Sequence, residues 1–410
     1  MIEYKEALAL VLSAARALPA ETVPLARALG RTLARDVKAR EAIPPFTKAT
    51  MDGYAVRAAD TRRVTGADAA SGEPGPVALT VVEDLPAGRL SRRPLGPGQA
   101  ARIMTGAPLP GGADAVVMVE DTEKSDRGVV IRRAVRPGDN IGLAGEDLEK
   151  GQTALEKGAV IGPAEIGMLA AAGLARVPVV RRPRIAVIAT GDEIVEPGRP
   201  LRRGRIRNAN GPALTALADR AGAETRYLGI ARDRSASLTA KLGRARGADI
   251  LVLSGGVSVG DHDLVKEELE RAGVRPVFWR VRIKPGKPVF FGRRGRQLVF
   301  GLPGNPTSAM VTFLLFVAPA VERMLGRTDP MPRTARALLA GEIAVKPGRT
   351  HFLRGLAVGR GPLLEVAPYD DQRSGVLRSM VRSRLLIVVP ADVGRLERGC
   401  EVEVILMDGR

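Results

Sequence analysis

Between residues 181 and 327 strand-like and helix-like segments alternate, and this alternation constrains the fold more than any other feature. IAVIAT (185–190), ETRYLGIA (224–231) and ADILVLS (248–254) are short aliphatic or β-branched runs. Between and after them, NGPALTALADRAG (210–222), SASLTAKLGRAR (235–246) and HDLVKEELERAG (262–273) repeat apolar residues at helical spacing. Parallel strands need long crossovers, so the pattern predicts a doubly wound parallel sheet. Ligands of such a sheet bind outside the carboxyl ends of its strands. PVFF and LVFG strands close the sheet, and a helix follows Asn305-Pro306.

The flanks read differently. Residues 1–38 suggest two helical segments split around Pro19 and Pro24, and PAEIGMLAAAG (163–173) suggests another. Together 1–38 and 148–180 are expected to form a helical stem. Residues 39–147 carry short β-like runs between Gly/Pro turns, a β-rich domain inserted into that stem, with 58–76 as an excursion loop. Residues 181–327 form the α/β domain. Residues 328–410 are β-like again (ALLAGEIAV, LLEVAPY, LLIVVPA, EVEVILM), as in a small barrel. A chain of 410 residues exceeds one ordinary core, which fits several domains.

Composition excludes several chemistries. Cys400 is the single cysteine and His262 and His351 the only histidines. An intrachain disulfide is impossible, Cys/His zinc sites are nearly excluded, and a metal should be hard and oxygen-bound. A reducing, cytoplasmic setting fits. The net charge of +18 comes from scattered arginines without a block of like charge. It is a solvated surface or a field that recruits anionic substrates; specific nucleic-acid binding is not expected. Residues 1–18 read as an amphipathic helix rather than a signal peptide. The longest apolar run, 309–321, is interrupted by Pro319 and falls short of the ~20 residues a bilayer span needs. A soluble protein without membrane contact is expected.

Five stretches carry candidate chemistry. SGGVSVGDHD (254–263) follows a buried strand and precedes a helix. Its glycines let backbone N–H groups face an anion, and Asp261 and Asp263 add carboxylates for a cation. This makes Ser254, Gly255, Gly256, Ser258 and Gly260 cofactor-binding candidates; the alternative is a strained turn with capping aspartates. TGDE (190–193) ends the preceding parallel strand and brings Thr190, Gly191, Asp192 and Glu193 to the same sheet edge, for magnesium or ribose hydroxyls. IKPGKPVFFG (283–292) aims Lys284 and Lys287 at one oxyanion, or is a basic surface hairpin. GLPGNPTSA (301–309) holds Pro303, Gly304 and Asn305, the last a candidate N-cap, at a helix start that suits phosphate. In the β-domain, Asp52, Thr105, Glu146 and Asp147 lie in MDGYA, IMTGAPLP and AGEDLEKG, which physics alone reads as turns.

The ordered series MDGYA, IMTGAPLP, GED, TGDE, SGGVSVG, IKPGKP and LPGNP resembles the molybdopterin molybdotransferase family, which includes bacterial MoeA and the E-domain of gephyrin. The resemblance covers nearly the whole chain. It implies a four-domain protomer with a pterin-binding α/β domain, and a homodimer whose active site joins the α/β domain of one subunit to the inserted domain of the other. The implied reaction is magnesium-dependent insertion of molybdate, or tungstate, into adenylyl-molybdopterin with release of AMP. Dithiolene sulfurs displace oxide from molybdenum and the pyrophosphate linkage is cleaved.

Carried over by motif, Asp52, Thr105, Asp147, Glu193, Asp233, Asp263, Lys284 and Lys287 form the functional set. Glu193, Asp233 and Asp263 are the metal candidates. Lys284, Lys287 and Ser374 (from QRSGVLRS, 372–379) are the molybdate candidates. Departures from the family pattern are Thr50 for serine, Leu143 and Ala144 where arginines are common, and Leu264 for a frequent tyrosine. Contacts with an adenylyltransferase and with molybdoenzyme acceptors are implied as partners. The competing enzyme is a molybdopterin adenylyltransferase, which shares the α/β domain and glycine loop. A receptor-clustering scaffold needs extra modules that this chain lacks.

Overall fold

A computed structural model describes residues 1–65, 75–126, 128–256, 264–359 and 364–407. They form two compact units: Met1–Arg35 with Gly158–Gly162 and Pro178–Arg410, and Asp36–Lys157 with Pro163–Val177.

The first unit holds a six-stranded sheet in the order Glu224–Ala231, Arg184–Thr190, Ile250–Ser254, Gln297–Leu302, Phe290–Arg294, Arg275–Phe278. The first four strands are parallel, as the alternation predicts. Phe290–Arg294 runs antiparallel to both of its neighbours, because a short hairpin rather than a crossover links it to Gln297–Leu302. The central strands are buried along their length, which is why they read as continuous apolar runs instead of alternating ones. Helices Asn210–Arg220, Ser235–Arg244 and Leu264–Arg271 provide the crossovers. The reversal of winding falls beside Arg184–Thr190, so its C-terminal end and that of Ile250–Ser254 border the expected crevice.

Aromatics are only 3% of the chain, yet they gather under the antiparallel edge. Phe278, Phe291 and Phe300 stack in sequence, and Phe316 and Tyr4 extend the cluster to Phe352. Phe316 belongs to a helical stretch, Pro306–Met324, that is long and apolar enough to cross a membrane by length and composition alone. Within it, 72% of the most apolar window is buried inside the protein, as in a core helix. Pro319 does not interrupt this stretch as the sequence suggests. A π-turn at Phe313–Val317 precedes it, and the wider turn accommodates a residue that cannot donate a backbone hydrogen bond.

The second N-terminal helix is absent. After Tyr4–Ala14, residues Ala20–Pro24 are extended and only Leu25–Arg27 makes a 3-10 turn. Pro19 and Pro24 disfavour helix at the residues before them, and Thr22 and Val23 between them favour strand.

The C-terminal strands close on themselves. Thr350–Ala357, Glu365–Pro368, Thr334–Leu339, Glu401–Leu406 and Leu385–Val389 pair in that order, and the last returns to the first. The short strand Ile283–Lys284 adds to Thr350–Ala357 in parallel.

In the second unit another six-stranded sheet runs Ala115–Met118, Gly53–Val56, Gln99–Ile103, Val77–Leu85, Gly128–Ile131, Thr122–Ser125. A Cβ at Gly53 would sit 1.9 Å from the Val117 carbonyl oxygen, so only glycine lets the central strand approach. The expected 58–76 loop begins as a 3-10 helix, Ala58–Thr65; residues 66–74 lie outside the described ones.

Candidate active site

The carboxyl ends of Arg184–Thr190, Ile250–Ser254 and Gln297–Leu302 open into a cavity of about 430 Å³. Thr190, Glu193, Asn208, Asn210, Gly255 and Gly304 are among its lining residues. Its floor is a set of assigned protons. Ser254, almost fully buried, donates its hydroxyl to the Pro303 carbonyl at 3.1 Å. Asn210 donates to Ser254 Oγ at 2.8 Å and to the Gly304 carbonyl at 2.7 Å. Thr190 donates to the Ser254 carbonyl at 3.3 Å. Four chain segments separated in sequence are tied at one point.

The glycines are required by approach. Gly255 and Gly256 have φ of 92° and 64°, and a Cβ on either would lie 2.9 Å or less from Thr190 atoms. Gly304 packs against Gly255, whose Cα would sit 3.6 Å from an added Cβ. Ser258, Gly260, Asp261, His262 and Asp263 lie outside the described residues.

Glu193 lines the cavity, and Asp192 precedes it in the same loop. Asp192 and Asp233 exchange bonds: each backbone N–H donates to the other's carboxylate, at 3.2 and 3.4 Å. Arg232 braces the same loop by donating to the carbonyls of Gly191, Asp192 and Ile194. Glu193 folds back over Gly191, where a Cβ would meet its carboxylate at 2.5 Å. Among the described residues, no three His, Cys, Asp or Glu side chains converge as a metal cluster. The donor set is nevertheless oxygen only, and magnesium, which keeps several waters, is held by one or two carboxylates. The residues present fit that cation.

Behind the cavity, Asn208 donates to Tyr227 Oη at 2.6 Å, and Tyr227 donates to Glu196 at 2.7 Å. Burial, reinforced by the Glu196 carboxylate, pushes the Tyr227 phenol well up, so it stays a neutral donor.

Lys284 lines a different cavity of about 370 Å³ with His351, Arg354, Asp370 and Gln372. Lys287 is exposed, and its carbonyl accepts from Val281 and Val289. Neither lysine is among the residues lining the 430 Å³ cavity, although Pro288, next to Lys287, is. The reason is local: Lys284 is drawn into the pairing with Thr350–Ala357, while Gly286 presses on Thr312. The Ser374 carbonyl accepts from the Thr307 N–H at 3.3 Å, in the helix that follows the LPGNP turn. Buried Arg354 holds that segment by donating to the carbonyls of Asp371 and Arg373. Asn305 occupies the N-cap position, but its side chain makes no capping bond there.

In the second unit Asp52 and Thr105, 53 residues apart, meet. One Asp52 oxygen accepts from both the backbone N–H and the hydroxyl of Thr105, each at 2.7 Å. The backbone bond, then the hydroxyl, then Arg102 hold the carboxyl below its usual range. Glu146 accepts from the Leu143 N–H, a turn bond, and Asp147 is exposed.

Residues 2–173 match the family described as "MoeA N-terminal region (domain I and II)", 186–323 the "Probable molybdopterin binding domain", and 336–407 the "MoeA C-terminal region (domain IV)". The chain belongs to the MoeA family. It is 38% identical to a molybdopterin molybdenumtransferase 2 of Mycobacterium tuberculosis, covering 98% of each, and 36% identical to a molybdopterin molybdenumtransferase of Bacillus subtilis, covering 94% of this chain and 90% of the relative. Two solved MoeA structures from Pyrococcus horikoshii superpose with TM-scores of 0.85 and 0.83 at 37% and 32% identity, over 100% and 99% of this chain and 100% of theirs. Asn208, Asn210, Arg232 and Arg354 carry no motif that singles them out in the sequence. RNANGP at 207–212 reads as helix-capping chemistry, and only the fold reveals where Asn210 points.

Proposed function

We propose that this chain is a molybdopterin molybdenumtransferase that inserts molybdate, or tungstate, into adenylyl-molybdopterin and releases AMP. The full-length match to relatives of that name supports the reading. The observation that carries it is the cavity where glycine backbone, helix start and the Glu193 carboxylate meet at the strand ends. Gly255, Gly256 and the Pro303–Gly304 turn bind the phosphates and heterocycle of the nucleotide-linked pterin. Glu193, Asp233 and Asp263 hold magnesium, which supplies charge neutralisation at the phosphates when bound. Lys284, Lys287 and Ser374 orient the oxyanion. Asp52 and Thr105 serve the same reaction from the inserted domain. A four-domain homodimer in the cytoplasm, meeting an adenylyltransferase and acceptor enzymes, completes the proposal.

The test is to incubate the purified protein with adenylyl-molybdopterin, magnesium and each oxyanion. AMP release that depends on oxyanion is expected, and it falls in Lys284→Ala and Asp263→Ala. Consumption of ATP without use of molybdate would instead identify an adenylyltransferase.

A further inference from the structure

The proton accounting at the cavity floor leaves one atom over. Ser254 commits its hydroxyl proton to the Pro303 carbonyl, so its oxygen can only accept from Asn210. The Gly304 carbonyl also only accepts, which fixes the Asn210 amide with nitrogen towards Ser254 and Gly304. Both amide protons are thereby committed. The remaining atom, Asn210 Oδ1, is shielded from solvent and has no hydrogen-bond partner among the described residues. An acceptor left unpaired in this way keeps its desolvation penalty without a compensating bond. It cannot rotate away without breaking two good bonds. Asn210 itself lines the 430 Å³ cavity.

We propose that Asn210 is the specificity-determining acceptor of this site: its Oδ1 takes a hydrogen bond from an exocyclic amino group of the bound heterocycle. The inference rests on the reading of the cavity as a pterin-nucleotide site. Both halves of such a ligand, adenine and pterin, carry an amino N–H, and the shared chemistry is an amino-substituted ring. A buried acceptor discriminates strongly against a ring without the donor, because the lone acceptor is then left unpaired. Phosphate, an acceptor at neutral pH, cannot satisfy Oδ1, which separates this position from the backbone N–H groups of the glycine turn.

Binding is measured with two ligand pairs: AMP against purine riboside 5′-monophosphate, and pterin-6-carboxylate against its 2-desamino analogue. In the wild-type protein, removing the amine is expected to weaken one pair by about three- to tenfold. The affected pair identifies which ring sits at Asn210. In Asn210→Ala the two members of that pair should bind within about twofold of each other, the range left once the bond is gone. Ser254→Ala is the control for mere positioning. It loosens the amide but keeps Oδ1, so it should weaken both members and preserve their ratio. Amine-independent binding in wild-type protein for both pairs overturns the inference without recourse to any variant. An amine effect that survives in Asn210→Ala overturns it as well. Failure of all four ligands to bind sinks the site assignment together with it, whereas binding without amine dependence leaves the proposed function standing.

Discussion

The Asp52–Thr105 turn and the Asn210–Ser254–Gly304 floor are both small polar clusters that join distant stretches of chain, but they are finished to different degrees. At the turn, an exposed carboxylate collects two donors from one residue, and solvent can serve whatever remains. At the floor, every proton is assigned and one acceptor has nothing to accept. Buried bonding capacity left open is expensive, whereas exposed capacity is nearly free. The contrast predicts that the floor is sensitive to any change in its atoms, and the turn to few.

The largest effect should follow from filling the floor. Gly255→Ala puts a Cβ 2.6 Å from the Thr190 carbonyl oxygen at a φ of 92°. Strain and displacement together should cost on the order of 2–3 kcal/mol of stability. Activity should drop on the order of 100-fold, because the turn that presents its N–H groups shifts. Chemical denaturation and AMP release measure the two quantities. A Gly255→Ala protein with near-normal turnover would mean the floor is not the binding surface.

Removing one atom should do less. Ser254→Ala leaves an Asn210 N–H without its acceptor, a loss of about 1–3 kcal/mol if water does not enter. Activity should fall roughly tenfold, the scale of one displaced hydrogen-bonded group. Should the denaturation midpoint stay put, the floor tolerates an open donor and its contrast with the turn disappears.

How much of this was legible follows from where each bond is made. The central parallel strands were readable because burial on both faces leaves an aliphatic run, as at Ile250–Ser254, and the half-exposed edge strand Glu224–Ala231 also appears with its expected limits. Gly255 and Gly256 were readable because a positive φ near a strand end leaves glycine in the sequence. Asp52 and Thr105 were legible as a pair only through resemblance; spacing alone says two turns. Asn210 was not legible, since a lone asparagine before a helix looks like a cap wherever it points. Asn305 shows the reverse: it looks like a cap and makes no capping bond. The strand pairing of Lys284 was not legible, because the spacing K-x-x-K cannot say that a two-residue strand will pair with Thr350–Ala357. The turn at Phe313–Val317 was hidden too, as the sequence shows Pro319 but not the wider helix before it.

A third prediction tests the turn. Thr105→Val removes the hydroxyl donor to Asp52 and keeps the backbone one, which is the stronger cause of the lowered pKa. The Asp52 carboxyl should titrate higher than in the wild type but still below its ordinary value. Activity should fall no more than about tenfold, since one of two charge-assisted bonds remains. Stability should barely change at an exposed site. Carbon-detected NMR of the Asp52 carboxyl follows the titration, and an unchanged midpoint would deny the hydroxyl any part in it.

The smallest effect concerns His351, which is buried yet has an unpartnered Nδ1, like Asn210 Oδ1. Its Nε2 lies 3.0 Å from the Lys346 carbonyl, so Nε2 carries the proton and Nδ1 is a bare acceptor in the neutral ring. Burial, then the charges of Lys284 and Arg349, hold its pKa below the ordinary 6.5, against the opposing pull of the Lys346 carbonyl. Below that ordinary value the unfolded chain binds a proton that the folded chain refuses. The unfolded state then holds more protons, so stability rises with pH across this window. Above it both states are neutral and the full stability is present. As pH falls through the window towards the folded pKa, that stability is lost. His351→Gln should therefore start less stable at about pH 7.5, by on the order of 1 kcal/mol for the altered Lys346 bond. Its stability should then decline less steeply with acid, so that the two proteins approach each other near pH 5, about 1.5 units below an unperturbed imidazole. Denaturation midpoints measured across that range decide it: parallel slopes would mean that the barrel imidazole titrates as though exposed, and that an unpaired buried nitrogen has no energetic consequence here.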